Sequence, residues 1–81
     1  MYILTSTEAY NDETFEEYFP EKSLNEISEI VKRRIKHMEL DTKAVNKEIK
    51  VQWGDVVKVL IDEKLVITFT VFKQECLPND L

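Results

Sequence analysis

Residues 65–73 read LVITFTVFK, and no other stretch restricts the fold as much. Extended, it places Leu65, Ile67, Phe69 and Val71 on one side and Val66, Thr68, Thr70 and Phe72 on the other. A strand apolar on both faces belongs inside a sheet, with a neighbour on each side. Just before it, VKVLI and the polar trio Asp62, Glu63, Lys64 complete a pattern of two strands joined by a turn. The turn has no glycine, so the sequence predicts a loop of three or more residues instead of a two-residue primed turn.

Upstream, EIKVQW alternates: Ile49, Val51 and Trp53 point one way, Glu48, Lys50 and Gln52 the other. That is a half-buried strand, closed by a turn at Gly54 and Asp55. The following VVKVLI also fits a short helix capped by Asp55, with Trp53, Val56, Val57, Leu60 and Ile61 along one side. Its β-branched content favours the strand.

A different period governs the segment after Pro20. Residues 23–26, SLNE, have the form of a capping box, in which the Ser23 hydroxyl accepts from the Glu26 amide and the Glu26 carboxylate reaches back. From Leu24 a helical projection gathers Leu24, Ile27, Ile30, Val31, Ile35 and Met38 on one arc, opposite Glu26, Glu29, Lys32, Arg33, Lys36 and His37. The expected amphipathic helix covers residues 24–39, and ELDTKAVNK reads as a polar connection. At about 24 Å it matches a seven-residue strand of about 23 Å.

Together with YILTS as a first strand, these elements predict an α+β fold. It is a small two-layer domain, one amphipathic helix on a mainly antiparallel sheet of about four strands, in the order strand, acidic segment, helix, three strands. The acidic segment itself fits two forms. It is either a short helix begun at Asp12, with Phe15, Tyr18 and Phe19 on one side, or the return strand of an N-terminal hairpin. Eighty-one residues suffice for one such domain, with residues 76–81 as a frayed tail.

The formal net charge of -5 is unevenly spread. Residues 1–22 carry six acidic groups against one basic, residues 23–47 four against six, and residues 48–81 six against four. The basic cluster VKRRIKH therefore occupies the end of the helix that favours positive charge, while Glu26 and Glu29 occupy the end that favours negative. Glu29 interrupts the basic stripe, so Lys32, Arg33 and Lys36 read first as a solvated face and only alternatively as a nucleic-acid contact. Arg34 falls within the apolar arc between Ile27 and Ile30, where it must snorkel or meet a carboxylate; it reads as lying over the core rim.

Catalytic motifs are lacking. His37 is the only histidine, Gly54 the only glycine and Cys76 the only cysteine. The sequence thus offers no metal-ligand spacing, no glycine-rich phosphate loop and no internal disulfide. No enzymatic activity and no cofactor are expected. The apolar runs are too short to span a bilayer, which with the lone cysteine points to a cytoplasmic protein without membrane association.

What remains is binding. Tyr10, Asp12, Glu13, Glu16, Glu17 and Tyr18 combine acidity with aromatic surface, and Phe72 stands on the second face of the sheet, which one helix leaves bare. That face needs a cover: the segment FEEYF, a second copy in a homodimer, or a partner. By analogy of class, a small acidic module without an active site suits an inhibitor from a phage or mobile element. Such an anti-defence protein, for example an anti-CRISPR or nuclease inhibitor, binds a host protein, here one that processes nucleic acid. The alternatives are an antitoxin or immunity protein, or a nucleic-acid-binding accessory protein acting through the basic half of the helix.

Overall fold

The computed structural model describes residues 1–20 and 23–73. Strands β1 (Tyr2–Glu8) and β2 (Glu13–Phe19) form a hairpin, helix α1 (Leu24–Ala44) follows, and β3 (Ile49–Gln52), β4 (Val56–Ile61) and β5 (Lys64–Lys73) complete the chain. All strand pairs are antiparallel, in the order β2-β1-β5-β4-β3. The architecture is the expected α+β layer of one helix on one sheet, with five strands where about four were predicted. The extra strand is the acidic segment, which takes the hairpin alternative: Tyr2 pairs with Phe19 and Glu8 with Glu13. Cys76 and the expected tail at 76–81 lie outside the described residues.

LVITFTVFK does occupy the middle of the sheet, between β1 and β4. One side of β5, with Phe69 buried and Ile67 packed beside it, meets the helix. Leu4 of β1 and Val59 of β4 flank Phe69, and Ile27, Val31 and Ile35 press down from α1. These six buried side chains are the core, each contributing about 1.5–3 kcal/mol through removal of apolar surface from water. Tyr2, Phe19, Ile30, Met38, Ile49, Val51 and Val57 pack around them.

Three local features differ from the sequence reading. The helix runs five residues beyond 39, to Ala44, because nothing in ELDTKA stops it. Thr42 is buried in the last turn and its hydroxyl donates to the Met38 carbonyl at 2.6 Å. Asn46 ends the helix with φ of 57°, while the amides of Asn46 and Lys47 donate to the carbonyls of Lys43 and Thr42. This is a Schellman cap with asparagine in the left-handed position that glycine more often fills.

At the other end, Ser23 is the N-cap residue as expected, but its hydroxyl makes no capping bond. Its ψ of 13° lies outside the extended region from which a capping hydroxyl reaches the next turn. The SLNE signature marks the helix start without forming the box.

The third difference is the β4–β5 turn. Ile61 pairs with Lys64, so only Asp62 and Glu63 form the loop, with φ of 50° and 68°. It is a two-residue turn of type I′, favoured because its twist matches that of the flanking strands. The Glu48 amide donates to the Asp62 carboxylate, and the Asp62 amide to the Glu48 carbonyl, which fastens the turn to the start of β3. Beyond it, the register shifts between Val59 and Leu60. Leu65 consequently stands opposite Leu60 instead of continuing the row of Ile67, Phe69 and Val71.

Glu63 adopts a conformation that a glycine holds without strain. Glu63→Gly is therefore expected to raise the unfolding free energy by about 0.5–1 kcal/mol. Denaturant midpoints of the two proteins measure it.

Candidate interaction surface

The register fixes which side chains share the sheet face away from the helix. Ile3 stands between Tyr18 and Phe72, forming an apolar row across β2, β1 and β5. The next row is Glu16, Thr5, Thr70 and Val56, and the one after it Thr14, Thr7, Thr68, Lys58 and Gln52. Leu60, Leu65, Val66 and Lys50 close the far end. Threonines suit this face, since a β-branched side chain fits the pleat and its hydroxyl tolerates water. The Thr7 and Thr14 hydroxyls hydrogen-bond each other at 3.1 Å, and the Thr5 hydroxyl donates to the Thr70 carbonyl. No described element lies over the face. FEEYF forms β2 within the sheet and is thereby removed as its cover.

The hairpin of β1 and β2 gathers the acidic groups at one side of the molecule. Glu8 and Glu13 face each other directly across the two strands, an arrangement that destabilises the pairing. Glu13 is held by Asn11, whose amide group donates to its carboxylate and whose carbonyl accepts from its backbone. Asp12 turns the loop in the left-handed region, with φ of 55°. Tyr10 is the most exposed large hydrophobic side chain among the described residues, at 78%. Its phenol is held above the ordinary range by the hydrogen bond its hydroxyl donates to the Glu8 carboxylate and by the charges of Glu8 and Glu13.

Tyr18 has the same chemistry on the outer face. Its hydroxyl donates to the Glu16 carboxylate at 2.6 Å, and this bond, with the carboxylate charge, pushes the phenol up. The neutral phenol is the form held. Any stability from the bond is therefore complete below the ordinary phenol pKa and lost as pH rises through the raised value. Glu16→Gln should return the Tyr18 midpoint toward the ordinary one, read by ultraviolet difference titration.

Glu17 departs from the grouping predicted from sequence. Strand alternation turns it to the helix side, where Arg34 holds it in a two-pronged ion pair with contacts of 2.6 and 3.0 Å. Arg34 thus takes the second option open to it: it meets a carboxylate instead of lying over the core rim. The pair joins the helix to the outermost strand and is half exposed, which limits its worth. Glu17→Gln is expected to cost about 0.5–1 kcal/mol, and less at high salt, in denaturant unfolding.

Beside this pair an open groove separates α1 from β2, lined by Ser6, Phe15, Arg34, Met38, Ile67 and Phe69. Phe15 is half exposed there, and the buried Ser6 hydroxyl has no hydrogen-bond partner among the described residues. Across the helix, Arg33 and Lys36 are exposed, and Lys32 meets Glu29 at 3.8 Å. This mixed face is the one the charge order predicted.

Of the residues singled out from sequence, Glu16, Tyr18 and Phe72 come together on the outer face. Tyr10, Asp12 and Glu13 gather at the hairpin tip, and Glu17 lies on the opposite face. Sequence reasoning did not assign Ile3 to any surface. Ile3 lies in a plain apolar stretch, and only the pairing of β1 with both β2 and β5 puts it between two aromatics. Among the described residues there is no cluster of three metal-ligating side chains, and no helix is long and apolar enough to cross a membrane.

Fold and surface together define a small α+β domain with one sheet face packed against the helix and the other without a cover among the described residues. No family model, curated protein or solved structure matches the chain.

Proposed function

We propose that the protein is a non-enzymatic protein-binding module whose contact surface is the bare sheet face together with the acidic hairpin. The observation that carries the reading is the row Tyr18, Ile3, Phe72 in a face with no described cover. Tyr18 is 59% and Phe72 53% exposed, and Val56 extends the apolar surface on the next strand. Large exposed apolar surface bordered by polar groups is characteristic of interaction sites. A few residues supply most of the energy at such sites, and tyrosine is among the types enriched there. Acidic groups to one side steer a basic partner and fix its orientation.

An inhibitor is the form of module that suits this surface, and a basic nucleic-acid-processing enzyme the kind of partner. Glu8, Glu13 and Glu16, none of which meets a lysine or arginine among the described residues, supply negative charge where a polyanion would otherwise bind. A phage- or mobile-element-type inhibitor acting on a host protein in the cytoplasm is the setting this chemistry fits.

Phe72→Asp tests the reading. It is expected to abolish capture of the partner in a pull-down from host lysate while the unfolding midpoint stays near wild type. A loss of a few kcal/mol in stability would instead place Phe72 beneath an internal cover, because a carboxylate would then be buried unpaired. Conversion of a dimer to folded monomer, read by light scattering, would assign the face to a second copy.

A further inference from the structure

Strand β2 is an outermost strand, and its free edge offers backbone groups as well as side chains. The Ala9 amide donates to the Val66 carbonyl, so odd-numbered residues of β1 bond toward β5 and even-numbered ones toward β2. By the same alternation, Glu13, Phe15, Glu17 and Phe19 bond toward β1, leaving the amides and carbonyls of Thr14, Glu16 and Tyr18 directed outward. That is a template for one more strand.

A second copy of β2 fits it badly. In every register that pairs at least five of its seven residues, joining two such edges about a two-fold axis sets Glu16 against Glu16, Glu13 against Glu17, or Glu17 against Glu17. Like charges directly opposite destabilise a strand pair, and Glu8 opposite Glu13 has already loaded the hairpin with one such contact. A basic strand relieves both. Its side chains on the outer face would lie beside Glu16 and Tyr18, and those on the other face would cover the half-exposed ring of Phe15.

We infer that β2 is the docking edge for an extended basic segment of a partner protein, with lysine or arginine alternating with apolar residues. The segment adds to the sheet as a sixth strand. The inference rests on the reading of the protein as a binding module and gives its partner a chemistry. The glutamates act in two ways, blocking self-association along the edge and selecting the partner by charge.

The test uses two synthetic peptides, one alternating lysine and valine and the other glutamate and valine, with the whole protein. The lysine peptide should slow hydrogen exchange at the amides of Thr14, Glu16 and Tyr18, and the glutamate peptide should not. Glu16→Pro removes one outward amide that bonds to nothing in the sheet, so folding should persist while affinity for the lysine peptide falls roughly tenfold or more.

Glu16→Lys keeps the amide and reverses the charge. It should weaken the lysine peptide and strengthen the glutamate peptide, and it decides the matter if the proline variant does not fold. Absence of protection at these amides, equal affinity for the two peptides, or affinity unchanged by Glu16→Pro would overturn the inference. Self-association of the protein that Glu16→Lys abolishes would overturn it too, assigning the edge to another copy. If Phe72→Asp loses the partner and both Glu16 variants retain it, the binding-module reading stands and the edge inference falls. Protection of these amides by the lysine peptide, in a protein whose Phe72→Asp variant keeps its partner, leaves the edge inference standing and removes the Phe72 face from the contact surface.

Discussion

A helix with its side chains is about 10 Å across, whereas five strands at about 4.8 Å spacing span about 19 Å between their outermost members. One helix therefore covers only the middle of this sheet on one face, and the remaining features of the molecule follow from that mismatch. The buried side chains come from β1, β5 and β4 beneath α1, while the two outermost strands contribute none. The outer face gets no cover from the helix at all. Even on the helix side, β2 extends beyond its shelter, which is why Phe15 is half exposed and a groove opens between it and Met38.

Such a fold is held from the centre outward. Phe69 lies in the central strand with Leu4 and Val59 beside it, and Ile27, Val31 and Ile35 close over them. Away from this cluster, strand pairing and polar contacts take over. Arg34 reaches from the helix to Glu17 and anchors the flank that packing does not reach. On the opposite flank, Glu48 and Asp62 exchange hydrogen bonds that hold the short β3 to the turn beyond β4. Half-exposed polar contacts of this kind contribute little energy each, so both edges depend on the core for stability while remaining accessible to other molecules.

The arrangement separates the contacts that stabilise the fold from the groups left accessible at its edge. Among the described residues, only Glu17 of the hairpin's glutamates ties the strand to the helix; Glu8, Glu13 and Glu16 bond only to neighbours within the hairpin, and Glu8 opposes Glu13 across the strands. Charge placed at such a cost on an accessible edge, next to aromatic rings and a bare apolar row, is what gives the binding reading its support. A helix face of mixed sign, with Glu29 beside Lys32, lacks a comparable concentration of one charge.

By itself the sequence determined the elements and their layers. Periods of two and of 3.6 residues are local properties, and so LVITFTVFK could be recognised as an interior strand and residues 24–39 as the covering helix. It also left Arg34 a choice between snorkelling and a carboxylate, since its place in the apolar arc follows from spacing alone. Where local signals were weak, the fold decided. ETFEEYF suits helix or strand until β1 offers it a ladder, and Glu63 accepts a left-handed backbone because β4 and β5 on either side fix the twist of the turn. The helix passes residue 39 because no breaker comes before Asn46, and Thr42 finds burial there. Above all, only the strand order puts Tyr18, Ile3 and Phe72 in one row, because register between distant segments is a property of the whole sheet and not of any stretch within it.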